Sequence, residues 1–99
     1  IKRAYAYGGV KREQPFVFEY DRQLVQGVID LYFIEDGQLV IVDYKTDRVL
    51  RGRAGEDELR RRYSIQLDYY AMALSQITGL KVKEKVIYSF ALGRSLTVE

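Results

Sequence analysis

The spacing of apolar positions along this 99-residue chain changes once, just after Lys45. Before that point the apolar residues come in short strand-like runs. Phe16-Val-Phe-Glu-Tyr20 follows Pro15 and has the aromatic and β-branched content of a strand, with proline suited to a first or edge position. Asp21 to Gln23 reads as a turn. Leu24 to Ile34 is a long apolar run broken only by Gln26, Gly27 and Asp30. Glu35-Asp36-Gly37-Gln38 contains Asp-Gly, a strong hairpin signal. Leu39 to Lys45 then supplies a third strand, so the first half predicts an antiparallel meander. Upstream, Ile1 to Gln14, with Gly8-Gly9 and Lys11-Arg12, reads as an irregular leader.

After Lys45, Thr46 to Gly55 is rich in glycine and arginine and reads as a mobile loop. From about Asp57 the apolar residues recur at Leu59, Tyr63, Leu67, Tyr70, Leu74 and Ile77. Steps of three and four predict a helix, with Glu56 or Asp57 serving its start and Gly79 closing it as the C′ residue. Lys83 to Leu92 is a last strand. A strand, a crossover helix and a strand join in parallel. The expected fold is therefore α/β in the broad sense, an α+β mixed sheet of four strands with one packed helix. One domain is expected, with its core over residues 15–93.

Composition narrows the chemistry. The chain is 47% hydrophobic and 30% charged, ordinary usage for a globular domain. It has no cysteine, which excludes disulfides, thiolate zinc sites, iron–sulfur clusters and cysteine nucleophiles. It has no histidine, which excludes a Ser/His relay and an imidazole metal site. A metal held by these residues must sit on oxygen, which favours magnesium, manganese or calcium. A net charge of +2 argues for no partner. No run approaches the roughly 20 apolar residues of a membrane span, and no signal peptide opens the chain. It begins at Ile1 rather than Met and reads as a piece of a longer polypeptide.

The residues that spoil the apolar pattern carry the chemistry. Asp30 interrupts Val28-Ile-Asp-Leu-Tyr-Phe33, where strand geometry would bury it. Asp43 and Lys45 end a run of aliphatics, and their spacing puts both on one face of the strand. A buried carboxylate needs a neutralising partner. Two readings stand: an Asp–Lys ion pair at a strand end, or a divalent-metal site with a positioned lysine. Gln66 lies within the apolar stripe of the helix, one turn before Tyr70, where its amide needs partners. It is either a tolerated core residue or a neighbour of the same pocket. Arg48, Arg51, Arg53 and the run Arg60-Arg61-Arg62 gather between Lys45 and the helix start. They are either a solvated face or phosphate contacts.

Taken together, Gly27-Val-Ile-Asp30, Val42-Asp-Tyr-Lys-Thr46 and Gln66 with Tyr70 resemble the PD-(D/E)XK nuclease superfamily in its RecB-like branch. The phrases REQPF (12–16), LVQGVIDLYF (24–33), VDYKTDRV (42–49) and RYSIQLDYYAMAL (62–74) are similar to the nuclease domains of bacterial helicase–nuclease subunits of the AddA type. The resemblance spans about Val10 to Gly93. It implies a restriction-endonuclease-like core and metal-dependent hydrolysis of DNA phosphodiesters, as an exonuclease in double-strand-break repair and recombination. It implies Asp30, Asp43 and the carbonyl of Tyr44 as ligands to Mg2+ or Mn2+. Lys45 would be catalytic, with Gln66 and Tyr70 orienting it or contacting DNA. Arg48, Arg51, Arg53 and Arg61 would be candidates for phosphate contact, and Glu13 carries no assigned role. The implied partners are DNA, a helicase portion of the same polypeptide and an AddB-like second subunit, in the bacterial cytoplasm. Within the same resemblance, the alternatives are another RecB-like exonuclease or a non-catalytic domain that binds DNA or a partner subunit.

Two departures qualify the resemblance. Members of this branch place a helix with a metal-binding His or Glu before the first strand, and the residues upstream of Phe16 are too few for it. This N-terminal helix is expected to be missing, and metal binding by the chain alone to be weak or absent. The lack of cysteine separates the chain from iron–sulfur relatives such as AddB-type subunits and Cas-associated exonucleases.

Overall fold

In the computed structural model, which describes residues 10–98, five strands form one mixed sheet with a single long helix across one face. The strands are β1 (Lys11–Tyr20), β2 (Gln23–Glu35), β3 (Gln38–Lys45), β4 (Val82–Ser89) and β5 (Arg94–Val98), and the helix α1 is Arg53–Thr78. They lie side by side in chain order. All neighbours are antiparallel except β3 and β4, which run parallel because α1 crosses over between them.

Local chemistry accounts for most of the turns. Asp36 and Gly37 both take positive φ, 55° and 73°, the left-handed pair that a two-residue hairpin demands. Asp21 and Arg22 do the same between β1 and β2, at 51° and 63°. At the end of α1, Gly79 (φ 74°) donates its N–H to the carbonyl of Ser75 at 2.8 Å, a left-handed cap that glycine adopts without steric cost.

Four expectations need correction. First, β1 begins at Lys11, inside the stretch expected to be irregular; residues 1–9 of that leader lie outside the described residues. Second, α1 begins at Arg53, before the expected Asp57. Gly55 is a packing residue rather than a loop residue, since a Cβ there would stand 1.7 Å from the carbonyl oxygen of Leu50. Third, the helix's apolar stripe ends early, with Ile77 left 58% exposed. Fourth, the sheet has five strands and extends past residue 93. A turn closed by Gly93 donating to the carbonyl of Ser89 ends β4 at Ser89 and returns the chain as β5. Leu96 and Val98 of β5 are buried against α1. Arg60 donates to the Thr97 carbonyl at 3.0 Å, and Arg94 donates to Glu56 at 3.1 Å.

The two sheet faces hold separate cores. Under α1 pack Phe16, Phe18, Ile29, Leu39, Ile41, Leu59, Leu67, Leu74, Ile87 and Leu96. The opposite face gathers Leu31, Phe33, Val40, Val42 and Val86. The alternation of β2 changes sides between these clusters: Ile29 faces α1, whereas Leu31 and Phe33 face away. The reversal falls on one rung. Glu13 of β1 lies between the pairs Arg12↔Leu31 and Gln14↔Ile29, opposite Asp30, and takes φ 50°. On the other side, the β2–β3 ladder stops at Leu31↔Val42. Asp30 is thus released from regular pairing at the end of the sheet.

Candidate active site

The functional residues meet where β2 and β3 separate, beneath α1. Asp43 and Lys45 continue the side of Leu39 and Ile41, so the strand's period of two turns both toward the helix. Tyr44 between them points the other way, onto the cluster of Val42 and Val86. In place of a β2 carbonyl, the Tyr44 backbone N–H donates to the Asp30 carboxylate at 2.9 Å. The carboxyl groups of Asp30 and Asp43 are neighbours.

Asp43 is only 2% exposed. Burial above all, then the Asp30 carboxyl, pushes its pKa up from 3.8 to about 6, against the opposing pull of Lys45. The Lys45 ammonium stands 2.8 Å from Asp43 Oδ2. The approach is too bent for a hydrogen bond, so this buried oxygen has a charge partner but no directed donor. Lys45 donates instead to Gln66 Oε1 at 3.0 Å. The half-buried Gln66 is thereby explained: its amide oxygen reaches the lysine from the helix face that also carries Tyr70. Tyr70 is buried, its ring edge-on to Phe16 at 5.4 Å. Burial, and then the Asp43 and Asp30 charges, push its pKa up to about 12, so it is a neutral hydroxyl at any working pH. Gly27 lets these rings approach, since a Cβ there would lie 3.0 Å from Phe16 and 3.8 Å from Tyr70.

The residues present fit an oxygen-loving divalent cation. A buried carboxylate oxygen lacks a donor, a second carboxylate stands beside it, and the Tyr44 peptide lies between them. Hard cations take such a set. Among the described residues, no cluster of three or more His, Cys, Asp or Glu side chains is close enough to hold a metal.

The structure thus brings together Asp30, Asp43, Tyr44, Lys45, Gln66 and Tyr70. The arginines are more scattered. Arg48, Arg51 and Arg53 are exposed on the loop after β3 and at the helix start. Arg61 lies along the β5 side, lining a shallow cavity with Arg60, Ser64, Thr97 and Val98, and is not brought to the Asp43–Lys45 end. Its neighbour Arg62 is: it lines a cavity with Gln66, Tyr70 and Phe16 and donates to Asp47 at 2.9 Å. Helical phase would have separated the two, since Arg62, unlike Arg61, lies one turn before Gln66 on its face. Glu13 lines a small cavity with Arg12, Asp30 and Tyr44.

A mixed sheet with one crossover helix, carrying two acidic residues and a lysine at a shared strand end, defines an α+β domain with a restriction-endonuclease-like core. The family model of the PD-(D/E)XK nuclease superfamily matches residues 3–96. The chain belongs to that superfamily. Among curated proteins it is 52% identical over 79 residues to the ATP-dependent helicase/nuclease subunit of the AddA type from Lachnoclostridium phytofermentans, with 80% of this chain and 6% of the relative covered. It is 41% identical over 110 residues to the corresponding protein of Thermoanaerobacter sp. strain X514 and 42% over 111 to that of Acetivibrio thermocellus, with 96% of this chain and 9% of the relative covered in each case. The chain therefore spans less than a tenth of the length of these relatives. Among the described residues, no helix is long and apolar enough to cross a membrane.

Proposed function

We propose that this chain hydrolyses DNA phosphodiester bonds with magnesium or manganese. It would serve as the exonuclease domain of a helicase–nuclease that processes broken double strands for repair and recombination. In the full protein its partners would be DNA, the helicase part of the same polypeptide and an AddB-like second subunit, in the bacterial cytoplasm. The observation that carries this reading is the buried Asp43 oxygen with no directed donor, beside Asp30 and under Lys45. A fold that crowds two carboxylates in a buried corner lowers its own stability unless something positive compensates. The superfamily match and the relatives' printed name support the nuclease class.

Asp30 and Asp43 would hold the cation, with the Tyr44 carbonyl as the third oxygen. When bound, the cation lowers the pKa of a water and neutralises charge developing on the phosphoryl group. Asp30 also fixes the Tyr44 peptide through its N–H. Lys45, anchored on Gln66, holds a positive charge where the scissile phosphate becomes more negative. Gln66 orients that ammonium. Tyr70, a hydroxyl that does not ionise, offers a donor to a phosphate oxygen.

The test is a titration of manganese and magnesium against the chain with labelled single-stranded DNA, with Asp43→Ala and Lys45→Ala alongside. Cleavage that needs the metal and is lost in both variants is the expected result. Cleavage unchanged in Asp43→Ala would sink the metal assignment.

A further inference from the structure

Gln66 and Asp43 are not the only groups that seat Lys45. Its Nζ lies 4.1 Å from the centroid of the Tyr63 ring. An ammonium over an aromatic face is attracted by the ring quadrupole, and the attraction grows as water is excluded. The seat thus has three walls: a carboxylate at 2.8 Å, an amide oxygen at 3.0 Å and a π face at 4.1 Å.

The ring is itself tied down. The Tyr63 hydroxyl donates to Asp47 Oδ2 at 2.6 Å, the same oxygen to which Arg62 Nη1 donates at 2.9 Å. Arg62 is braced on its other side by Glu58, at 2.5 Å. Asp47 lies two residues beyond Lys45, in the loop that leaves β3. Tyr63 and Arg62 belong to α1. One cluster therefore clamps the exit of the lysine's strand to the helix that supplies Gln66.

Composition within α1 supports a specific role. Position 63 is half-buried, and an aliphatic side chain would fill the helix stripe equally well. Only an aromatic ring offers Lys45 a π face, and only a hydroxyl reaches Asp47. The roles of Asp30, Asp43, Gln66 and Tyr70 use neither feature.

We propose that Tyr63 is a positioning residue for Lys45: its ring forms the third wall of the ammonium's seat, and its hydroxyl, held by Asp47 and Arg62, fixes the ring there. The inference rests on the reading that Lys45 acts in phosphodiester cleavage. By it, Tyr63 acts through Lys45 alone and touches no substrate. A misplaced ammonium stabilises the transition state less without weakening DNA binding, so kcat falls while KM stays.

The test uses Tyr63→Phe, which keeps the ring, and Tyr63→Leu, which removes it, with two measurements. The first is the 13C-edited NMR spectrum of the chain labelled in lysine. The ring should hold the Lys45 ε-methylene protons upfield of those of exposed lysines in the parent and in Tyr63→Phe, and Tyr63→Leu should release them. The second is manganese-dependent cleavage of single-stranded DNA. Tyr63→Leu should lower kcat about 3- to 30-fold at unchanged KM, the range that a cation–π contact supports, and Tyr63→Phe should restore most of it. An unshifted Lys45 in the parent overturns the proposal. So does full kcat in Tyr63→Leu, or a loss confined to KM. A parent chain whose Lys45 is shifted, and moves with Tyr63→Leu, but which cleaves no DNA overturns the nuclease reading and leaves the seat supported.

Discussion

Replacing Asp43 with Asn should make the metal-free chain more stable at neutral pH while abolishing cleavage. Burial and the Asp30 carboxyl raise Asp43 from 3.8 to about 6. The folded chain therefore keeps a proton that the unfolded chain releases between those two values. Below about pH 4 both states are protonated, and the site costs nothing. As pH rises from there through 6, the folded state comes to carry a buried charge, and stability is lost until the curve flattens above about pH 7. A displacement of roughly two pH units corresponds to about 3 kcal/mol at 1.36 kcal/mol per unit. The attraction of Lys45 is already contained in that shift. Asn keeps the shape without the charge, so the variant should gain about 2–3 kcal/mol at pH 7.5, or roughly 10 °C in a chain of this length. The assay is thermal unfolding of both proteins from pH 4 to pH 8 with a chelator present. The curves should meet near pH 4 and separate through pH 6. Melting temperatures that stay parallel across the range, or a variant less stable at pH 7.5, would refute the reasoning.

Manganese should raise the parent's melting temperature by mass action, about 2.7 kcal/mol at a hundredfold excess over Kd, and leave Asp30→Ala and Asp43→Ala unmoved in the same scan. Gln66→Leu removes the acceptor of the Lys45 ammonium. Single-turnover cleavage should fall about tenfold or more, with a denaturation midpoint close to that of the parent. Gly55→Ala places a methyl group 1.7 Å from the Leu50 carbonyl oxygen. Backbone must move to admit it, so urea unfolding should show a loss of about 2 kcal/mol or more. Gly27→Ala meets only the end of the Phe16 ring at 3.0 Å, and the same measurement should show about 1 kcal/mol lost as Phe16 and Tyr70 adjust.

The sequence by itself determined the elements whose cause is local. The Asp36-Gly37 hairpin, the period of three and four from Leu59 to Leu74, the cap at Gly79 and the parallel crossover all rest on short-range sterics and on burial of one face. The same holds for Asp43 and Lys45 sharing a face, a consequence of the strand's period alone. Their combination with Asp30, Gln66 and Tyr70 was legible as a family pattern. What the tertiary structure decided is what depends on partners distant in sequence. Strand β5 is five residues long with only Leu96 and Val98 inward, and it exists because β4 and the arginines of α1 hold it. Gly55 looked like a loop glycine because the atom that forbids its side chain is the carbonyl of Leu50. The reversal of faces at Glu13 and Asp30 breaks the alternation on which any strand reading depends, so no periodicity could foretell it. The seat of Lys45 is likewise assembled from a strand end, a loop aspartate and two successive turns of helix. Residue types and spacing nominate a site, but only the packing of α1 on the sheet brings a ring, an amide and a carboxylate around one ammonium.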